Sequence, residues 1–362
     1  MTRTVLRSAV RGIVPLQALG EVLPQDIEFL MPYPRKVAVD LSAGMERHLA
    51  WAADQGFLPS DTATERYQFS QHAEVGAWFC PEPETDQDLD LQLDVNGWYF
   101  VFDDAFDTPN GRPADGAVTA CRQVMELLHG EPVLRPGASP LVAAFADLWK
   151  RECESMSRFW QQRASSTWRD YLAGNLAEEA NRRLATPLSS SDYLDVRRRS
   201  VGVLPDFDMR ECIGPFEVPP LAWYSSHLQS MRHYTVEHVI FVNDVCSLEK
   251  DEARDEINLV RLLMVEDNLS RQTAIEKVVA TADSHMHRFQ TLQAGIPHLC
   301  DSLRLTAQER TAVQRHLAAM IDMLSGNYHW SRSCGRYSTQ AVSGLTPDQP
   351  GLLALHDLTR ST

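Results

Sequence analysis

Residues 103–107 carry three aspartates at the end of a predicted helix. Asp103 and Asp107 are four positions apart and share a helix face, and Asp104 lies beside them. Stacked carboxylates repel one another unless a cation lies between them, and oxygen-only ligands favour Mg²⁺, Mn²⁺ or Ca²⁺ over zinc. A solvated helix end is the alternative. The apolar, aromatic run of residues 98–102 favours the cation site, because charge at the end of a buried helix is costly without a partner.

A second oxygen-rich segment begins at Asn243 and ends at Asp251. Asn243, Ser247 and Asp251 follow one another at intervals of four, and each interval advances ~40° around a helix, so their oxygens form a narrow stripe. An amide oxygen, a hydroxyl and a carboxylate in line predict a hard-cation site with room for waters or substrate phosphates. A polar helix face is the alternative, but the apolar residues 239–242 lead directly into the stripe.

The elements that position these stripes must be helices. Segments rich in Ala, Leu, Glu, Gln and Arg alternate with Pro- and Gly-containing breaks, and alternating β-branched runs are almost absent. The sequence predicts one all-α domain, with a turn at 81–87 and a loop that starts at Pro205. We expect a poorly ordered leader at 1–28, the domain at 29–338 and an irregular tail at 339–362. The predicted helices span residues 40–54, 61–74, 88–106, 112–129, 139–163, 165–185, 190–203, 220–231, 233–252, 269–293 and 305–330. Two cation-binding lips over an apolar cavity suit a substrate with a diphosphate head and a hydrocarbon tail.

Composition and charge exclude several classes of function. The 362 residues include 34 Lys+Arg and 49 Asp+Glu, a formal net charge of −15. This balance argues against nucleic-acid binding and against docking on an anionic membrane surface. No apolar run reaches the ~18 residues that a membrane span needs. The seven scattered cysteines include no CxxC pair, so they predict neither a disulfide framework nor a zinc site and indicate a reducing, cytoplasmic location.

Two further features complete a resemblance to a known family. Arg197 lies forty-six positions before Asn243, and an Arg336-Tyr337 pair follows near the end of the chain. The sequence resembles the bacterial class I terpene synthases, or terpene cyclases, over most of its length, from about residue 29 to residue 337. The aspartate-rich motif is matched by residues 103–107, the NSE-type motif by residues 243–251, the pyrophosphate sensor by Arg197, and the C-terminal RY pair by residues 336–337.

The resemblance has one departure. The family usually has Glu at the last position of the second motif, where this chain has Asp251, a side chain one methylene shorter. Glu252 lies about 100° around the helix, and Glu249 faces away, so we expect Asp251 to be the third ligand. Arg198 and Arg199 adjoin the sensor, which the spacing assigns to Arg197.

The resemblance implies a class I terpenoid synthase helical bundle around an apolar cavity, in which three Mg²⁺ ions clamp the diphosphate of a linear isoprenyl diphosphate. The implied metal ligands are Asp103, Asp104, Asp107, Asn243, Ser247 and Asp251. The implied diphosphate contacts are Arg197, Lys250, Arg336 and Tyr337.

Ionisation of the allylic C–O bond leaves a carbocation, which aromatic faces and a closed site protect from water. Tyr99, Phe100 and Trp330 are the aromatic residues that the resemblance and the helix register place at the cavity, whereas we interpret Trp78 and Phe79 as core residues. Ser200 and Val201 match the family's short helix break after the sensor, where the Val201 carbonyl is expected to touch the cation.

The implied function is cyclisation to a terpene hydrocarbon or alcohol with release of diphosphate. Farnesyl diphosphate (C15) is the default substrate, and geranylgeranyl diphosphate (C20) is the alternative. A chain-elongating prenyl diphosphate synthase shares the fold and the metals but needs two aspartate-rich motifs, and Asn243 and Ser247 argue against it. A non-catalytic helical interaction protein with solvated acidic lips is the third hypothesis. We expect a monomer or a homodimer.

Overall fold

The protein was analysed as a computed structural model, which describes residues 24–106, 115–129, 134–184 and 188–343. Within these ranges every regular element is a helix, which confirms the all-α prediction. The α-helices are α1 (Leu41–Asp54), α2 (Asp61–Ser70), α3 (Val75–Phe79), α4 (Asp86–Phe106), α5 (Asp115–Leu127), α6 (Pro140–Cys153), α7 (Arg158–Leu184), α8 (Ser190–Ser200), α9 (Val203–Ile213), α10 (Pro220–Trp223), α11 (Ser226–Cys246), α12 (Leu248–Arg254), α13 (Leu259–Glu266), α14 (Arg271–Ser302), α15 (Ala307–Ser331) and α16 (Thr339–Val342). Two 3₁₀ helices span Pro24–Asp26 and Gly335–Tyr337.

Capping residues determine where some helices begin and end, and the residue pattern alone predicted one of these ends wrongly. The predicted break at residue 164 is wrong, because α6 ends at Cys153 and α7 begins at Arg158. Ser157 caps α7: its Oγ accepts a hydrogen bond from the backbone N–H of Trp160, and its own N–H and hydroxyl donate to Glu217 at 2.6 Å each. A side-chain cap of this kind satisfies backbone donors that the first helical turn leaves open.

Two prolines lie inside helices where the sequence predicted ends. Pro205 is the third residue of α9, a helix that replaces the predicted loop. The first turn tolerates proline because the missing N–H has no intrahelical partner there. Pro297 lies within α14, which continues to Ser302 rather than ending at 293. Ile296 and Cys300 on either side of it are buried, so packing maintains the helix past the proline.

Helix α11 forms the centre of one of two apolar clusters. All of its residues from 235 to 242 are buried, as expected for a helix surrounded by others, and it packs against α14 and α15. The second cluster joins α4, α6 and α7. Among the described helices, none combines the length and the apolar character that a membrane crossing requires.

Both expected domain borders carry ordered contacts. Gln25, in the expected leader, donates from Nε2 to the carbonyl oxygens of Ser331 at 3.0 Å and Cys334 at 2.9 Å. At the other end, α16 lies inside the expected irregular tail. The rest of the leader, residues 1–23, and of the tail, residues 344–362, lie outside the described residues.

Candidate active site

A cavity of about 270 Å³ lies between the two apolar clusters. Its wall is formed by α4, α7, the junction of α8 and α9, α11, α12 and the end of α15 with the residues that follow it. The predicted side chains that line it are Tyr99, Phe100, Asp103, Arg197, Ser200, Val201, Asn243, Ser247, Lys250, Asp251, Trp330, Arg336 and Tyr337. The fold therefore brings both acidic motifs and both basic motifs to one cavity.

The aspartate motif divides its side chains between the cavity and the protein interior. Asp103 lies at the rim, with a side chain 46% exposed and Oδ2 3.8 Å from Nη2 of Arg336. Asp104 is buried, does not line the cavity, and has Oδ1 3.5 Å from the same nitrogen. The resemblance implied that Asp104 is a metal ligand, but its side chain instead lies beside Arg336, outside the cavity wall. Asp107 lies outside the described residues.

The second motif spans the junction between α11 and α12. Ser247 lies between the two helices and is the cap residue of both of them. Its N–H donates to the Asn243 carbonyl at 2.8 Å, and its own carbonyl accepts from the N–H of Asp251 at 3.0 Å. The four-residue register is therefore kept across the junction. The Ser247 hydroxyl donates to Oδ2 of Asp251 at 2.6 Å, whereas Glu252 is turned away and bound by Arg271 at 2.9 and 3.1 Å.

Asp244 anchors this lip to the rest of the bundle. Its Oδ2 accepts hydrogen bonds from the hydroxyl of Tyr193 at 2.8 Å and from the N–H of Leu259 at 2.9 Å. Burial raises its pKa to about 6, although the Arg197 guanidinium opposes the shift. Asp244 therefore links α8, α11 and the start of α13.

The oxygen atoms of the second motif fit a hard divalent cation. An amide, a hydroxyl and a carboxylate lie on one stripe, and the hydroxyl and carboxylate oxygens are close enough to share one ion. Across the described part of the chain, no three His, Cys, Asp or Glu side chains meet at one point. Asn243, Ser247 and Asp251 offer three oxygen ligands, fewer than the six that Mg²⁺ requires, so water or substrate oxygens would have to complete such a site.

Of the three consecutive arginines, only Arg197 reaches the cavity. Its Nη2 donates to Oδ1 of Asn243 at 3.0 Å, and Nη1 is 3.7 Å from Glu178. Burial works against its charge, but Tyr193 and Glu178 raise its pKa, so the guanidinium stays protonated. Arg198 instead pairs with Glu237, and Arg199 donates to a backbone carbonyl on its own helix.

Arg336 is buried and held by a residue that the sequence analysis missed. Nη1 of Arg336 bonds Nε2 of His72 at 2.5 Å, and the His72 ring stacks on Phe100 with centroids 4.3 Å apart. Burial lowers the pKa of His72 well below its usual range, and Arg336 lowers it further. A neutral imidazole accepts from Arg336, so the guanidinium keeps its charge beside Asp104.

Aromatic rings line the wall beside these cationic groups. The Tyr337 hydroxyl accepts from Nδ2 of Asn243 at 2.8 Å, and the Trp330 ring lies 5.7 Å from Phe100 and 5.9 Å from Tyr337. Phe79 also lines the cavity, which corrects the interpretation of that residue as core. Trp78 is buried in the core as expected and carries Arg35 over its ring at 4.7 Å.

The helix that bears Arg197 breaks next to the cavity. Gly202, at φ +80°, separates α8 from α9 at the break that the resemblance implied, whereas the residue pattern alone had extended the helix to residue 203. This left-handed conformation suits glycine and exposes Ser200 and Val201 to the cavity. A side-chain Cβ at Gly202 would lie 3.7 Å from Tyr99, so that ring packs directly against the break. The Ser200 hydroxyl donates to Glu178.

Helix α7 supplies a polar wall that was not predicted. Asn175, Glu178 and Arg182 line the cavity at intervals of three and four, and Arg182 donates to the Phe106 carbonyl at the end of α4. That periodicity was visible in the sequence but is typical of any exposed helix face. Asp206, the first-turn acid of α9, also lines the cavity and was assigned to a loop.

Comparison with known proteins gives one consistent result. The profile of the family described as "Terpene synthase family 2, C-terminal metal binding" matches residues 94–288, which include both acidic motifs and Arg197. The pentalenene synthase of Streptomyces avermitilis is 35% identical over 319 residues, covering 87% of this chain and 94% of that protein. The (−)-β-caryophyllene synthase of Saccharothrix espanaensis, named as cyclising (2E,6E)-farnesyl diphosphate, is 36% identical over 318 residues, covering 87% and 90%.

Solved structures agree with the sequence relatives. The linalool/nerolidol synthase of Streptomyces clavuligerus superimposes with a TM-score of 0.79 at 34% identity, covering 84% of this chain and 100% of that structure.

Proposed function

The chain belongs to the bacterial class I terpene synthases, lyases that act on prenyl diphosphates, and from this premise we propose how its cavity works and on which substrate. We propose that it binds farnesyl diphosphate with three Mg²⁺ ions, ionises it and cyclises the resulting carbocation. Family membership sets aside the chain-elongating synthase and the non-catalytic interaction protein.

One observation carries the proposal: oxygen ligands and cationic side chains from distant segments meet at one end of a cavity walled by aromatic rings. Asp103 and the stripe of Asn243, Ser247 and Asp251 line the same cavity; Arg197 contacts Asn243, and Arg336 lies 3.8 Å from Asp103. Divalent cations bound there would neutralise the diphosphate leaving group. The family description as metal-binding supports a metal site, and the hard oxygen ligands support Mg²⁺.

Cationic side chains of the protein would position the diphosphate. Arg197 and Arg336 present planar guanidinium groups suited to bidentate phosphate contact, and Lys250 adds a point charge from the same turn as Asp251. Groups fixed before the reaction stabilise the departing charge without reorganising. The Tyr337 hydroxyl, which now accepts from Asn243, is placed to donate to a diphosphate oxygen.

The deeper wall favours a hydrocarbon cation. Phe100 and Trp330 offer ring faces, and the break at Val201 and Gly202 brings backbone to the cavity surface. The cavity of about 270 Å³ is slightly smaller than the roughly 300–1,000 Å³ typical of small-molecule sites, so we infer a shorter rather than a longer prenyl chain. The farnesyl diphosphate named for the caryophyllene synthase supports a C15 chain.

Cysteine chemistry supports a cytoplasmic location. All seven cysteines fall within the described residues, and all are free thiols. Burial raises the pKa of the thiols of Cys121 and Cys153 to about 12, so both stay protonated and unreactive. Buried, unpaired thiols are typical of proteins kept in a reducing compartment.

The test is incubation of the purified protein and Mg²⁺ with diphosphates of 10, 15, 20 and 25 carbons. Released diphosphate and chromatographed products are measured together. We expect the highest kcat/KM for the C15 substrate, with cyclic products. Preference for the C20 substrate would overturn the assigned length, and release without cyclic product would overturn the cyclisation.

A further inference from the structure

Asp206 is a buried carboxylate in the deep part of the cavity, away from the two metal-binding lips. It lines the cavity from the first turn of α9 and is 2% exposed. Its partners on α4 are Gln92 and Asn96, and the one nearer to Asp103, Asn96, precedes it by seven residues, which span about 10 Å of helix. The carboxylate therefore lies roughly two helical turns below the rim, where the hydrocarbon part of a substrate has to fit.

One oxygen of this carboxylate has no hydrogen-bond partner among the described residues, although the nearby charge of Arg210 helps to lower the pKa of Asp206. Oδ1 accepts from Nε2 of Gln92 at 2.8 Å and from Nδ2 of Asn96 at 3.5 Å. Oδ2 is buried and has no hydrogen-bond partner within the described ranges, and the same holds for the hydroxyl of Tyr99. Tyr99 lies close enough for the charge of Asp206 to raise the pKa of its phenol further, beyond the larger effect of burial. Unpaired buried oxygen atoms are costly and indicate that something else occupies their positions.

The other carboxylates on the wall are engaged near the opening. Glu178 lies beside Arg197, Glu179 is bound by Arg182, and Glu256 by Lys250. Burial raises the pKa of Asp206 only to about 6, so the group is ionised at neutral pH. Among the described residues of the wall, Asp206 is thus the carboxylate placed to act as a base at the hydrocarbon end.

We propose that Asp206 is a further catalytic residue, which takes the proton that ends the reaction. This inference rests on the proposed function. The proton leaves either a carbon next to the cationic centre, whose C–H electron pair becomes the new alkene, or a water that has added to the cation, whose O–H pair stays in the alcohol. In both cases the proton binds Oδ2 of Asp206 and the positive charge is lost. The Gln92 amide holds Oδ1, and among the described residues Oδ2 has no hydrogen-bond partner, which leaves it available to accept the proton.

The experiment compares wild type with Asp206→Asn and with a matched control, Asp322→Asn. Asp322 is a largely buried carboxylate on α15 whose pKa burial also raises to about 6. It does not line the cavity, and its partner at 3.7 Å, Arg210, also acts on the charge of Asp206, so the control additionally measures any effect that passes through Arg210. Each protein is incubated with farnesyl diphosphate and Mg²⁺, and diphosphate release and product composition are measured in the same tubes. Thermal melting checks that each variant is folded.

For Asp206→Asn we expect diphosphate release within about threefold of wild type, since ionisation occurs at the other end of the cavity. We expect the share of the main wild-type product to fall by at least about tenfold, because losing a positioned base costs roughly 10²–10⁴ in that step. Earlier cations should then lose protons elsewhere or be captured by water. Asp322→Asn should give the wild-type product profile.

Two results would overturn the inference. An unchanged product profile in Asp206→Asn would assign the final proton to another base, such as the released diphosphate. A parallel loss of diphosphate release would place Asp206 in ionisation instead. If Asp206→Asn does not fold, Asp206→Glu keeps the charge but moves it by one methylene, and an unchanged profile there counts equally against the inference. Absence of turnover by the wild type would instead contradict the proposed function.

Discussion

Replacement of Asp251 by asparagine tests the second metal-binding lip with little disturbance to packing. The residue is 7% exposed, and its Oδ2 accepts from Ser247 at 2.6 Å and from Nδ2 of Asn258 at 2.8 Å. An asparagine oxygen can accept both bonds, so the change removes one negative charge together with the ion pair between Oδ1 and Lys250 at 3.3 Å. Two unit charges ~4 Å apart interact by about 4 kcal/mol at an effective dielectric constant of about 20, and the double charge of Mg²⁺ raises this to about 8 kcal/mol.

Part of that energy is offset by changes in hydration, and the amide oxygen still coordinates. We therefore expect a net loss of about 1.4–2.8 kcal/mol, a 10- to 100-fold rise in the Mg²⁺ concentration for half-maximal rate. The assay is the initial rate of diphosphate release against Mg²⁺ concentration. Asp251→Glu, which restores the usual acid of the family, should stay within about threefold of wild type on the same scale.

Glu252→Gln is the matched control because it neutralises the next residue on the same helix. Its carboxylate is bound by Nε and Nη2 of Arg271, away from the cavity. We expect a loss of about 1–2 kcal/mol in the free energy of unfolding and an unchanged Mg²⁺ curve. The reasoning fails if Asp251→Asn and Glu252→Gln give the same Mg²⁺ curve.

Three further predictions concern the rim, the sensor and the interior. Asp103→Ala should lower diphosphate release at least ~100-fold. The melting temperature should stay nearly unchanged, because the half-exposed side chain packs little. Severe unfolding measured by circular dichroism would show that Asp103 has a structural role instead. Arg197→Gln should lower kcat/KM by ~100-fold or more, whereas its neighbour's variant, Arg199→Gln, should lower it by less than about threefold. Equal losses for the two variants in steady-state kinetics would reject Arg197 as the pyrophosphate sensor. Burial raises the pKa of Glu152 to about 8, so the folded state binds a proton more tightly than the unfolded chain. The free energy of unfolding should therefore fall as the pH rises from about 5 to 8. At about 1.4 kcal/mol per pKa unit, the fall amounts to roughly 4 kcal/mol. Glu152→Gln should remove that fall in denaturation curves at several pH values, and a slope equal to that of wild type would contradict it.

Local spacing predicted the register of the second motif, although the motif crosses from α11 to α12. The intervals of four between Asn243, Ser247 and Asp251 are kept, and Glu252 is turned away as the helix angle indicated. These inferences succeed because helix geometry converts sequence spacing directly into a shared face.

Contacts between distant segments could not be read in this way. His72 reaches Arg336 across 264 positions, and nothing near His72 resembles a motif. Asp206 was hidden by Pro205, which indicated a loop although proline is accepted in a first helical turn. Asp104 belongs to the aspartate motif, yet its side chain is buried with Oδ1 3.5 Å from Arg336 and does not line the cavity, a placement that depends on a residue far along the chain.

The most direct test of the account is diphosphate release from farnesyl diphosphate by the wild-type protein, measured with Mg²⁺ and with excess chelator. The account predicts release together with cyclic products in Mg²⁺, none in chelator, and full recovery when Mg²⁺ is restored. Undiminished release in excess chelator would contradict the assignment of the two oxygen-lined lips as the metal site that drives ionisation.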